Sequence, residues 1–375
     1  MKIIQKYITI DLVKATFLAL FVLVALFSFF SLIDQLEEAG KGHYGVPQVL
    51  LYVLLTTPKL AYELFPIASV IGSMAVLGML AQNYELDIIR TSGVSNFALA
   101  GVLARSGLVL VVLSIIIGEV IAPVTEEKAQ YMRSVAMTEQ ITLKTKYGFW
   151  GRDGNNFINI RRILPGNKVE QIYFYEFSND NRLRSSIYAR SAEYVNGKWL
   201  MKNISQSVIG DNKVTLRKLD LAEWESLLNP EIINLVIVKP QFLTIWGLAH
   251  YISYLKHNAQ NSLLYEQALW SKLIRPFSII AMIVLAVPLV RGSTRFNAVG
   301  QRVFIGALIG IIFHICNEVA GHLGVVYEIH PYISTTAPTL ILLVIIAFLL
   351  HERKFHLFSK NRTGEPDPLQ EGPDE

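Results

Sequence analysis

The chain has 375 residues, 52% of them apolar, 11% aromatic and only 17% charged, against roughly 25% charged in an ordinary soluble protein. A mean hydropathy of +0.39 points the same way, and together these values exclude a disordered protein and a coiled coil. One cysteine, Cys316, excludes an intramolecular disulfide framework, and the net charge of +4 matters less than where its basic residues lie.

A bilayer core about 30 Å thick needs roughly 20 apolar residues in helical form. Residues 15–33, ATFLALFVLVALFSFFSLI, give a first span without a charge. The run is longer than a signal-peptide core and no A-x-A-like site follows, so it reads as a retained anchor. A second span covers about 60–81, after the proline-broken LLYVLLTTPKL. Lys59 lies there in apolar sequence just past Pro58, where it needs an anionic partner or a route to the interface. Then AQNYELDIIRTSGVSNF places Glu85, Asp87 and Arg90 on a short helix that stops at Ser92-Gly93, before a third span at 98–122. Two acids at its start suit a partner's groove better than an anionic lipid surface. Glu85 is the expected contact, with Asp87 about 200° away around the helix.

Residues 124–268 contain no span, and their apolar period switches to two in NNFINIRRI, VEQIYFYEF and SSIYARSAEYV. Asn196-Gly197 turns the last run into KWLMKNISQSVIG, and Asp211-Asn212 makes a further turn into KVTLRKL. The pattern predicts an inserted antiparallel β-sandwich or jelly roll with flanking helices. Alternation leaves open which face is the interior: Phe157 and Tyr175 are first candidates, while Tyr173 and Phe174 sample both faces of one strand. Thr244 caps a helix carrying the stripe Leu248, Tyr251, Ile252 and Leu255. Spans at 269–290, 303–323 and 331–350 complete six, in two membrane halves, 1–123 and 269–351. The tail, 352–375, is acidic and proline-rich from Thr363 and is expected to be disordered.

Orientation follows from loop charge. With the N-terminus in the cytoplasm, the inner side holds Lys2, Lys6, Lys14, Arg90, Arg291, Arg295, Arg302, Arg353, Lys354, Lys360 and Arg362, eleven in all. The short outer loops hold Lys41 alone, which predicts cytoplasmic termini and an external inserted domain.

No nucleotide-binding loop, HEXXH, G-x-S-x-G or kinase signature occurs, so the chain carries no visible energy source or catalytic motif. His314, Glu318 and His322, spaced by four in the fifth span, share one helix face. They read as a polar face turned into a bundle cavity or, alternatively, as the metal site of an intramembrane metalloenzyme; the first is preferred, and no metal or other cofactor is expected. Asp34, Glu37, Glu38, Lys41, Lys128 and Arg133 sit near the outer boundary as solvated residues.

DQLEEAGKG (34–42), PKLAYELFPIASVIGSMAVLGMLAQNYEL (58–86), IGEVIAP (117–123), FWGRDGNNFINI (149–160) and LWSKLIRPFS (269–278) occur in order along the chain. In these motifs and in its layout the sequence resembles the LptF/LptG family of lipopolysaccharide export permeases, its G-type members above all. The resemblance implies a bacterial inner-membrane subunit of an ABC transporter, without catalysis of its own. Its implied partners are a homologous F-type permease, a dimeric cytoplasmic ATPase and a periplasmic bridge protein of jelly-roll fold. It implies that Glu85, Asp87 and Arg90 lie on the ATPase-coupling helix and that spans one and five gate the lipid path. Asp34, His314 and Glu318 then belong to the gate, and Lys41, Lys59, Arg133, Phe30 and Phe65 to lipopolysaccharide binding. Positions matching the lysines that bracket DQL in the family carry Ser31, Glu37 and Glu38 here, and Gln130 stands where a second arginine can occur.

Overall fold

The computed structural model describes residues 2–138, 148–164, 168–178, 180, 182–195, 197–210, 213–224, 240–291 and 299–359. Among them, six helices are long and apolar enough to cross a membrane, three before and three after a six-stranded sheet, which is the expected architecture. The Asp211-Asn212 turn, the Asn at 196 and the tail from 360 lie outside the described residues.

Helix α1 spans Lys2–Leu36, α2 Val46–Gln82, α3 Glu85–Thr91 and α4 Asn96–Ile116. A π-helical turn, Ile117–Ile121, carries α4 directly into α5, Ala122–Thr138, so the third spanning element runs well past Ala122. The widened turn ends two residues before Pro123, whose ring and missing N–H cannot continue a regular α-helical register onto the Glu119 carbonyl. After the sheet come α6 (Ile245–His257), α7 (Leu263–Arg291), α8 (Val299–Val326) and α9 (Pro331–Ser359). The fourth long helix therefore starts at Leu263 rather than Leu269, because Asn261 Oδ1 accepts from Leu263 N and Ser262 donates to Glu266.

Helix α2 is the centre of the membrane bundle, with most of its apolar length covered by α1, α7 and α8. Gly306 and Gly310 of α8 face Met74, Ile67 and Val70 of α2 so closely that a Cβ at either would crowd them, and α8 lies tight against α2 there. By contrast α1 and α8 are the least covered spans, each with only 11% of its apolar window buried in this chain.

Strands β1 (Phe149–Asp153), β2 (Asn156–Leu164), β3 (Lys168–Phe177), β4 (Leu183–Val195), β5 (Lys198–Ile209) and β6 (Val214–Trp224) form one antiparallel sheet in sequence order. Val195 pairs with Lys198, and Gly197 sits at φ +86°, the left-handed conformation that a two-residue hairpin requires. The sheet is strongly curled. Phe174 on β3 and Trp224 on β6 stand three strands apart, roughly 14 Å in a flat sheet, yet their ring centroids are 4.5 Å apart. The bend has a location: the ladder register skips Arg161, Gln171, Arg190, Asn203 and Asp220, one row across β2 to β6. Gln171 and Asn203 in that row have φ of +54° and +53°. Inward residues on either side of it are three apart instead of two, as in Ile160 and Ile163, Val169 and Ile172, and Met201 and Ile204. A transverse crease thus folds the sheet around an aliphatic core.

That core corrects the choice of interior face. Ile158, Ile160, Ile172 and Phe174 point inward, whereas Phe157 and Tyr175 belong to the outer face. There the rings pack on one another, Phe157 against Phe177 and Tyr175 on Trp150, which accounts for an apolar run on a solvated face.

Helix α6 joins sheet and bundle. Tyr251, Tyr254 and Leu255 complete the sheet core, while Leu248 and Ile252 pack with Ala268 and Leu269 of α7. The Tyr254 hydroxyl donates to Arg152 O, and Asn258 Oδ1 accepts from Gly154 N, which fixes the β1–β2 hairpin. Burial pushes the Tyr254 hydroxyl up to about 12 and Tyr251 higher still, so both remain neutral donors.

Candidate lipid path and coupling site

At the end of the bundle that carries the β domain, α2, the π turn, α7 and α8 surround a cavity of about 420 Å³. Lys59, Tyr62, Glu63, Lys272, Arg275, His314, Glu318 and His322 line it. The predicted residues Lys59, His314 and Glu318 therefore meet at one site, with a small extension along Glu63, Arg275, His314 and Glu318 toward Pro66. His322 Nε2 stands 4.0 Å from Glu318, and among the described residues no group of three or more His, Cys, Asp or Glu side chains is arranged to hold a metal. The arrangement is a charged cleft.

Several charges in this region have identifiable partners. Pro66 removes an N–H from α2 and leaves the Tyr62 carbonyl without its helical donor. Arg275 of α7 supplies one at 3.2 Å and lies over the Tyr62 ring, 4.3 Å from its centroid. Glu119, on the π turn, accepts from Lys272 Nζ at 2.6 Å and from Ile245 N at 2.8 Å. Lys59 meets the anionic partner its position demanded: Glu126, 1% exposed, at 4.0 Å. Gln130 Nε2 donates to that same carboxylate and to the Tyr52 hydroxyl, and Arg133 stacks on Tyr52 while pairing with Glu38. A continuous polar chain thus runs from Lys59 to Glu38. Burial above all, against the opposing charge of Arg133, pushes the neighbouring Tyr44 up to about 12, so it too stays neutral.

The other predicted lipid and gate residues lie apart from the cavity lining. Asp34 is exposed in the last turn of α1, Lys41 in the segment between α1 and α2, and Phe30 on the outward face of α1. Phe65 is fully buried between α1 and α2, edge-on to Phe17, and so sits inside the bundle rather than on a lipid-facing surface. The sequence pattern gives no role to Lys272, Arg275, Tyr62 or Glu119. The signal was present in Pro66, whose orphaned carbonyl requires a donor, and in three charges spaced through otherwise apolar sequence.

At the opposite end of the bundle, Tyr84 turns the chain out of α2 with φ +60°, and α3 follows. Leu86 anchors α3 in the membrane core. Glu85 is half-buried beside Tyr7 of α1, Asp87 and Arg90 stand 3.9 Å apart, and Tyr84 (72%) and Ile88 (66%) project outward. One turn before α2 ends, buried Arg302 of α8 donates to Gly78 O at 2.9 Å and ties α8 to the helix that carries α3.

Three membrane helices, an inserted β domain and three more membrane helices, with a polar cleft where the two parts meet and an exposed short helix at the far end, define a multi-pass membrane permease. The family model described as "Lipopolysaccharide export system permease LptF/LptG" matches residues 6–352, and the chain belongs to that family. It is 32% identical over 353 residues to the lipopolysaccharide export system permease protein LptG of Haemophilus influenzae, covering 94% of this chain and 99% of that protein. With the LptG protein of Escherichia coli K12 it shares 32% over 351 residues, covering 93% of this chain and 98% of that one.

Proposed function

We propose that this chain is the G-type permease subunit of a lipopolysaccharide exporter, drawing the lipid from the outer leaflet of the inner membrane into a path that continues through the β domain. The observation that carries this reading is its end-to-end likeness to LptG proteins, without a nucleotide-binding loop of its own. ATP is then hydrolysed by a dimeric cytoplasmic partner docked on α3, around Glu85, Asp87 and Arg90. The termini are cytoplasmic, and the domain between about residues 124 and 268 is periplasmic, in line with the loop charges. The low coverage of α1 and α8 suits a homologous F-type permease packed against both, with Asp34, His314 and Glu318 at the seam. Lys41, Lys59, Arg133 and Phe30 line the lipid's way to a jelly-roll bridge protein.

The test is reconstitution in lipopolysaccharide-containing vesicles with the F-type permease and the ATPase. ATP-dependent release of lipid to a bridge domain, abolished when this chain is omitted, is the expected result. Undiminished release without it would overturn the assignment.

A further inference from the structure

Glu119 has two oxygens and two separate partners. Gly118 beside it packs on the Tyr62 ring with no room for a Cβ, and the π turn directs the Glu119 side chain between α6 and α7. Oε1 accepts from Lys272 Nζ of α7. Oε2 accepts from the backbone N–H of Ile245, the first residue of α6. That N–H has no partner inside its own helix, and Thr244 Oγ1 takes a different one, Gly247 N. The carboxylate also complements the positive end of the α6 dipole.

What α6 does next gives this contact its meaning. Thirteen residues of helix span about 20 Å, from Glu119 at one end to the β1–β2 hairpin at the other, where Tyr254 and Asn258 hold Arg152 and Gly154. Along its length one face belongs to the sheet core and the other to α7. The helix is a strut between the membrane bundle and the β domain, packed on α7 through Leu248 and Ile252, with Glu119 taking up the first N–H at its membrane end.

We propose that Glu119 is a positioning residue that sets the angle of the β domain over the polar cleft, acting through its acceptor contact to α6 rather than through its ion pair with Lys272. The inference rests on the transport reading above and adds to it the group that aligns the two halves of the lipid path. An ion pair that merely filled a buried site would be replaceable by apolar side chains of similar volume. An acceptor for a part-buried helix N–H would not.

Two double variants separate these roles. Glu119→Gln with Lys272→Met removes both charges but keeps an oxygen for Ile245 N. Glu119→Met with Lys272→Met removes charges and acceptor together. The first measurement is amide hydrogen exchange of the peptide covering residues 244–250 in the assembled complex. Exchange should quicken about tenfold in the Met/Met variant and stay close to wild type in the Gln/Met variant. The second is ATP-dependent photo-crosslinking of lipopolysaccharide at Phe30 on α1 and at inward-facing Phe174. The Met/Met variant should lose about tenfold at Phe174 with Phe30 unchanged, and Gln/Met should retain both. Equal behaviour of the two variants, whether both intact or both impaired, overturns the proposal, as does a parallel loss at Phe30 in the Met/Met variant. If exchange separates the variants but wild type captures no lipid at either position, the strut stands and the transport reading fails.

Discussion

Pro66 and Arg275 act as one unit at the scale of single residues: the proline frees a carbonyl inside the bundle and the guanidinium of another helix takes it up. Arg275→Met should therefore destabilise the protein by about 1–3 kcal/mol. In a Pro66→Ala background the restored N–H serves Tyr62 O, and the same change should cost clearly less. Thermal unfolding of the four proteins in detergent measures the difference, and equal costs in both backgrounds would contradict the pairing. Lys59 and Lys41 offer a second contrast, because both are basic residues at the end of the bundle that carries the β domain but only Lys59 faces a buried carboxylate. Lys59→Ala leaves Glu126 buried without its cation and should lower stability by roughly 1–3 kcal/mol. Lys41→Ala should leave stability unchanged while weakening lipid-stimulated ATP hydrolysis. A melting curve and an ATPase titration on each variant distinguish a structural cation from one available to phosphate.

At the scale of elements, α3 is too short to stand alone in water, and it survives by inserting Leu86 into the bundle while presenting Tyr84 and Ile88 outward. Ile88→Glu should weaken ATPase association about tenfold or more, measured by co-purification and titration, with the membrane bundle intact. Leu86→Ala should instead loosen α3 itself, at about 2–5 kcal/mol, seen as faster proteolysis between α2 and α4. Much of this was legible beforehand. The strands follow the period-two runs closely, Thr244 caps α6 as its sequence promised, and α3 stops at Ser92. The interior face of the sheet was not, since Phe157, Tyr173 and Tyr175 carry as much apolar surface as Ile158 and Phe174. What decides between them is the crease, a tertiary bend that shifts side-chain parity by one and leaves no local mark except two unremarkable residues, Gln171 and Asn203. The Glu119 contacts escaped for a similar reason, because Ile245 and Lys272 lie 126 and 153 positions away along the chain.

For the whole molecule, the eleven-to-one split of basic residues gives the orientation a direct test. A reporter active only outside the cytoplasm should work when fused at Gly210, in the β domain, and fail after Ser359 at the end of α9; activity at the latter would reverse the assignment. The same view shows why six spans were easy to find and their interplay was not: hydropathy reports depth in a bilayer, whereas Arg302 on α2, Glu119 on α6 and Arg275 on Tyr62 are contacts between distant helices. The crease in the sheet also bears on how a bulky, multi-chained lipid would be accommodated. Along the row from Arg161 to Asp220 the ladder is already interrupted, so the two flanks can swing about that line, as covers about a spine, without surrendering a strand pairing. The width of the trough is then governed by side chains meeting across it, Phe174 against Trp224 first among them, and a smaller ring at position 224 should widen it while the strand register stays as it is.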